Sequence, residues 1–350
     1  MAGKKFSRTW LTPVVAVLVA FAIGAILIYI QGADPLKAYQ SLFSHAFGSW
    51  SGIAKTLGKA TPLVLSGLAV TIGLRAGLFN IGVQGQLVMG AFAAAWAGYF
   101  IHGLPIYIHL PVALLFGVAF GAGIGLIAGA LKAYRGIHEV ITTIMLNSII
   151  LALVDYLAGH VFQEPGQILA RTPHILPSAT IPNIFSMPSG FFFAILLAYG
   201  VWWVFQRTTS GFRLETVGRN KSAAWYAGIS VKRSVLIAMA VGGGIAGLGG
   251  GIESLGVIGR FEPTFNTGLG FDGITIALLG RANPLGVIPG AILIGGMRGA
   301  AASMQFDAGV APEIVDLILA LVLFCVTAPF LAKWLKSTEV GAKISSGWGN

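Results

Sequence analysis

The chain has 350 residues, of which 56% are hydrophobic and only 10% charged, against about 25% charged in soluble domains. That composition excludes a soluble enzyme fold, because most segments are apolar all round, as lipid-embedded helices are. The net charge of +10 sits between apolar segments, where it sets topology rather than building a nucleic-acid face, and the single cysteine, Cys325, excludes an intrachain disulfide and a cysteine metal cluster.

The expected fold is an all-α polytopic membrane protein with about ten transmembrane helices, some short or broken. Lys4, Lys5 and Arg8 precede an apolar run over 11–31. That run exceeds the apolar core of a signal peptide, about 7–15 residues, so it is read as a retained first helix behind a cytoplasmic N-terminus, 1–10. Further spans are expected at 60–76, 81–100, 111–131, 138–160, 188–206, 233–255, 266–280, 285–305 and 312–332. The region 11–332 is thus taken as one transmembrane domain.

Charge supports this layout. With the N-terminus in the cytoplasm, sixteen of the 22 basic residues fall inside and five (Lys37, Lys55, Lys59, Arg171, Arg260) outside, with Arg298 in a span; the bias follows the positive-inside rule. An even number of crossings returns the tail 333–350, with Lys333 and Lys336, to the cytoplasm. Two long loops, 32–59 and 161–187, then face outward. Pro165, Pro173, Pro177 and Pro182 exclude a regular helix from the second.

Gly117, Gly121, Gly125 and Gly129 recur every fourth residue, and the seventh span holds Gly242 to Gly244, Gly247 and Gly249 to Gly251. Such ridges let helix backbones approach closely. Against this background Asn80, Gln84 and Gln86 stand out within Gly77-Leu-Phe-Asn-Ile-Gly-Val-Gln-Gly-Gln86. Amides at membrane depth are costly unless they tie helices together or line a polar path. Glu139, Thr143 and Asn147 are spaced by four, about 40° apart round a helix, and share one face; Asn80 and Gln84 are expected to do the same.

The longest inside loop, 207–232, holds Thr216-Val-Gly-Arg-Asn-Lys-Ser-Ala-Ala-Trp-Tyr-Ala-Gly-Ile229. Asn220 can cap a helix of about two turns from Lys221, and Gly228 can end it. Ala223, Ala224 and Ala227 offer a small surface beside the large Trp225 and Tyr226. Such a helix either docks into a groove of another protein or lies on lipid headgroups.

The pattern Gly218-x-Asn220…Ala223-Ala-x-Tyr-Ala-Gly-Ile229 resembles the coupling segment of ATP-binding-cassette importer permeases of the branched-chain amino acid, ribose and nucleoside superfamily. Gly77 to Gln86, Glu139-Val-Ile-Thr-Thr-Ile-Met-Leu-Asn147 and Gly270-Phe-Asp-Gly-Ile-Thr-Ile-Ala-Leu-Leu-Gly-Arg-Ala-Asn-Pro-Leu-Gly286 are similar to its other motifs. The resemblance covers about 60–305 and is strongest to the longer of two paired permeases in bacterial purine-nucleoside importers. It implies a permease in the bacterial cytoplasmic membrane, paired with a second, different permease. A cytoplasmic ATPase would hold the ATP, an extracytoplasmic lipoprotein would deliver substrate, and this chain itself would bind no cofactor. It implies that Gly218, Asn220, Ala223, Ala224, Tyr226 and Gly228 couple to the ATPase. A nucleoside is polar but uncharged, so neutral amides and hydroxyls suit its passage. Asn80, Gln84, Thr143 and Asn147 are expected to line or support the path, with Glu139 near its cytoplasmic end. A ribose-type sugar importer is the alternative cargo; an ion-coupled carrier or passive channel is the alternative class.

Enzyme motifs are incomplete. His138-Glu-Val-Ile-Thr142 lacks the second histidine of a zinc protease. Gly52 to Lys59 imitates a phosphate loop, but five residues separate Gly52 from Gly58 where four are needed, and Ala60 replaces the required Ser or Thr.

Overall fold

The computed structural model describes residues 2–184, 186–263 and 268–327, with side chains from Pro13 onward. The tail 333–350 lies outside the described residues. The chain divides into two compact units, residues 1–56 with 296–350, and residues 57–295.

In the first unit, α1 (Ala2–Ile30) packs against α13 (Glu313–Thr327). The helix reaches back to Ala2 through the stretch expected as an N-terminal tail. Gly24 permits the approach: a Cβ there would press on Ile318 and on the hydroxyl of Tyr39. That hydroxyl donates to the carbonyl of Phe21 at 2.7 Å. Tyr39 belongs to α2 (Pro35–Phe47), which occupies much of the stretch expected as the loop 32–59. The local reason is plain. Asp34 accepts from the N–H groups of Leu36 and Lys37, Pro35 takes the first helical position, and Ala38, Ser41, Leu42 and Ala46 form the buried face. Helix α3 (Trp50–Arg75) starts ten residues before the expected span. It absorbs Gly52 to Lys59 as continuous helix, so the N–H groups a phosphate loop would need are spent on the helix ladder.

In the second unit, α4 (Val83–Phe100), α5 (Ile106–Arg135) and α10 (Val231–Glu253) form the core. The expected glycine ridges meet there. A Cβ on Gly121 would overlap the carbonyl of Gly243, and one on Gly125 the carbonyl of Met239. A Cβ on Gly90 would overlap Gly247, so α4 joins the same contact. Backbone packs on backbone because lipid offers no hydrophobic drive between helices, and close van der Waals approach replaces it.

Around this core lie α6 (Glu139–Tyr156), extended by a π-turn to Val161, and α7 (Ser189–Arg207). The cytoplasmic-loop candidate forms α8 (Thr209–Arg219) and α9 (Lys221–Tyr226). After α10 come α11 (Leu269–Leu279) and α12 (Val287–Ala308). Between α6 and α7, the described residues form only a 3-10 turn at Pro177–Ala179 and a two-residue antiparallel pair, β1 (Asn183–Ile184) with β2 (Met187–Pro188). His109 of α5 holds this stretch through Ser178 at 2.8 Å.

Seven described helices are long and apolar enough to cross a membrane: Pro13–Ile30, Trp50–Arg75, Ile106–Arg135, Glu139–Val161, Ser189–Arg207, Val231–Ile258 and Val287–Ala308. The other expected spans fall on α4, whose hydropathy is lowered by Gln84 and Gln86, on α11, with 11 residues, and on α13, described for 15.

Candidate translocation and coupling site

Helix α3 stops at Arg75, and Gly77 turns the chain back with φ of 69°. Leu78 N–H then bonds the carbonyl of Gly73 at 2.9 Å, so residues 78–80 fold along the end of α3. Helix α4 therefore begins in buried surroundings, with Asn80 and Gln84 each 2% exposed. A helix start there leaves N–H groups that water cannot satisfy. Gly82 stands at the cap position and has no side chain to help.

The amides fill that need. Asn80 Oδ1 accepts from Gly82 N–H at 3.0 Å, and Asn147 Oδ1 accepts from Gly85 N–H at 2.8 Å. Asn147 Nδ2 donates to the carbonyl of Ile81 at 2.9 Å, and Asn80 Nδ2 donates to Gln86 Oε1 at 3.0 Å. Gln84 Oε1 accepts from Gly270 N–H at 2.7 Å, in the first turn of α11. Ser66 of α3 donates to the carbonyl of Leu269 at 3.1 Å. One cluster thus holds the N-termini of two helices, each carrying about half a positive charge.

Asn80, Gln84, Thr143 and Asn147 lie together around the start of α4, held by the bonds above and by Gly82. Asn80 lies in the turn before α4, so it does not share a helical face with Gln84; its partner is Gln86. Thr143 is fully buried against Gly82, and its hydroxyl donates to the Glu139 carbonyl at 2.7 Å. Glu139, one turn away, forms an ion pair with Lys132 of α5 at 2.7 Å. Sequence reasoning missed Ser66 and Gly270 as members. Each is an ordinary small residue whose role arises only from a partner far along the chain.

Helix α8 joins this cluster through the end of α3. A Cβ on Gly218 would overlap the carbonyl of Arg75, and one on Gly77 would press on Gly218 at 2.9 Å. Two glycines facing each other let α8 sit on the α3–α4 turn. Arg75 reinforces the joint: it lies over the Phe205 ring at 4.9 Å, is 3.9 Å from Glu215, and donates to the carbonyl of Ala282 at 2.8 Å.

Asn220 caps α9 through Ala223 N–H at 3.0 Å, and Gly228 follows with φ of 75°. The outward surface differs from the expected one. Ala224 turns inward and is fully buried, while Trp225 is 68% and Tyr226 82% exposed. Ala223 and Ala227 stay exposed as expected, and Ala224 is the one position of α9 turned toward the molecule.

A second charged joint lies between 161–187 and the end of α10. Glu164 meets Arg171 at 2.7 Å and Arg260 at 2.8 Å, and Arg260 also meets Glu262 at 3.4 Å and His174. Arg260 with Glu262 is therefore part of a local network. Among the described residues, no group of three or more His, Cys, Asp or Glu could hold a metal ion.

The chain is similar to known proteins over most of its length. A guanosine ABC transporter permease protein, NupP of Bacillus subtilis (strain 168), is 37% identical over 93% of this chain and 95% of its own length. A nucleoside ABC transporter permease protein, NupB of Lactococcus lactis subsp. cremoris (strain MG1363), is 33% identical over 96% and 98%. A glucose ABC transporter permease protein, TsgB13 of Haloferax volcanii, is 33% identical over 92% and 88%. The model of the family described as branched-chain amino acid transport system / permease component matches residues 52–327, and the chain belongs to that family.

Proposed function

We propose that this chain is the permease subunit of an ATP-binding-cassette importer and forms part of a nucleoside path across the bacterial cytoplasmic membrane. The observation that carries this reading is near full-length similarity to the two permeases named for guanosine and nucleosides. Similarity to a permease named for glucose keeps a sugar as the second candidate cargo. The chain crosses the bilayer ten times, on α1, α3 to α7 and α10 to α13, with both termini in the cytoplasm and 11–332 as its membrane domain. A cytoplasmic ATPase binds ATP, a second and different permease completes the path, and an extracytoplasmic lipoprotein supplies substrate.

Gly218, Asn220, Ala223, Ala224, Tyr226 and Gly228 form the coupling element in this reading. Trp225 and Tyr226 enter the ATPase groove, and Ala224 holds α9 to the permease. Movement there passes as a rigid body through Gly218 and Gly77 to the α3–α4 turn, and so to the amide cluster. Asn80, Gln84, Thr143 and Asn147 support the path by fixing the ends of α4 and α11, and Glu139 with Lys132 fixes the start of α6.

The test is uptake of labelled guanosine, uridine, ribose and glucose in cells carrying the permease with its neighbouring genes. A parallel strain carries Trp225→Ala with Tyr226→Ala, two exposed side chains whose ring contact is with each other. Guanosine uptake that falls at least ten-fold in the double variant, with the protein still in the membrane, supports the reading. Uptake untouched by the change removes the coupling role and favours an ion-coupled or passive carrier. Uptake of sugar alone changes the cargo.

A further inference from the structure

The face of α8, the turn Gly228 to Ser230 and the start of α10 line a cavity of about 300 Å³. Its lining includes Arg213 of α8 and Arg233 of α10, together with Ser210, Ser230 and Ile237. Both guanidiniums are exposed, and among the described residues neither has a carboxylate partner. Two neighbouring arginines differ: Arg75 faces Glu215, and Arg219 bonds the same carboxylate at 2.9 Å. Two unneutralised guanidiniums on one cavity are an anion site by charge, and their planar forks match phosphate oxygens.

The cavity also has an apolar exit. Arg233, Ile237 and Val241 are spaced by four along α10 and form one stripe. Ile237 is 43% and Val241 46% exposed, so the stripe continues from the arginines along the membrane-spanning helix as an uncovered aliphatic track. A free anion would use only the arginines. A molecule with a phosphate head and an acyl chain uses both.

We infer that this cavity binds the headgroup of an anionic phospholipid of the cytoplasmic leaflet, with Arg213 and Arg233 on the phosphate and an acyl chain along Ile237 and Val241. The site rests on the sidedness proposed above and not on the identity of the cargo. Basic clusters at the cytoplasmic end of a spanning helix attract anionic lipid in this way. An acidic side chain of the ATPase is the competing occupant; the aliphatic track favours lipid, because a docked protein side chain would leave that track unused.

The experiment uses the full-length chain, delipidated in neutral detergent and titrated separately with phosphatidylglycerol, phosphatidylcholine and inorganic phosphate, with bound molecules counted by native mass spectrometry. One phosphatidylglycerol retained in preference to phosphatidylcholine is expected, and R213Q with R233Q should weaken it about ten-fold or more. Arg219→Gln, whose side chain points at Glu215, should leave retention unchanged. R213K with R233K keeps the charge and should keep most of the preference, which separates a lost site from a misfolded protein. Equal retention of both lipids overturns the inference, and so does phosphate competing as well as the lipid. Lipid binding unchanged in the double glutamine variant, with ATPase binding lost, assigns the cavity to the ATPase instead.

Discussion

Gln84 and Gly270 stand 186 residues apart in the chain and are joined by one hydrogen bond of 2.7 Å, from the Gly270 N–H to Gln84 Oε1. Through it, the first turn of α4 caps the first turn of α11. Gly270 has no room for any other residue, since a Cβ there would overlap the Gln84 backbone. A side chain that looks like a candidate substrate ligand in the sequence is thus spent on holding a second helix end in place.

Gln84→Leu should strand the Gly270 N–H in buried surroundings and cost about 1–3 kcal/mol. Asn147→Leu should cost more than Gln84→Leu, because Asn147 satisfies both Gly85 N–H and the Ile81 carbonyl. Thermal unfolding of the purified variants checks the order; a neutral Asn147→Leu would show that the amide is not structural.

The glycine junction predicts a sharp contrast within α5. Gly125→Ala drives a methyl group into the Met239 carbonyl and should cost about 1–3 kcal/mol as overpacking. Gly123→Ala meets nothing within 4 Å, and should be neutral or up to about 1 kcal/mol stabilising from helix propensity. Protein level in the membrane and the unfolding midpoint read both.

The pair of Lys59 with Glu253, 3.5 Å apart, is asymmetric: the lysine is 29% exposed and the glutamate 1%. Lys59→Met leaves a buried carboxylate alone and should destabilise by about 3 kcal/mol. Glu253→Gln leaves a lysine that still reaches solvent, so the loss should be smaller. Equal losses in a calorimetric comparison would contradict this account.

In the capped segment 220–228, Asn220→Ala removes the cap of α9 and should cost about 1 kcal/mol of local stability. Gly228→Ala places a methyl-bearing residue at a φ of 75°, a penalty of about 1–2 kcal/mol. Both should speed amide hydrogen exchange over 221–228 while leaving α10 protected. Exchange unchanged in both would show that neither residue shapes the segment.

Several of these features are legible in the primary structure, and the reasons differ. Asn220 and Gly228 act on atoms within a few residues, so their spacing alone announces a capped helix with a left-handed end. The glycines of α5 and α10 recur at helical spacing, which shows a close-packed face without saying what meets it. The start of helix α2 is also legible, since Asp34 before Pro35 is a helix-start pair.

What the sequence determined by itself is therefore the membrane class, the approximate position of the seven long apolar helices, the capped segment at 220–228 and the family. All rest on composition, periodicity or contacts between near neighbours. Only the tertiary structure decided that Asn80 pairs with Gln86 from outside the helix, that Gln84 takes Gly270, and that Ala224 faces inward. Those outcomes depend on which groups a fold brings within about 3 Å of one another: the turn at Gly77 folds Asn80 back onto Gln86, and the Gln84 partner lies 186 residues away and leaves no local trace.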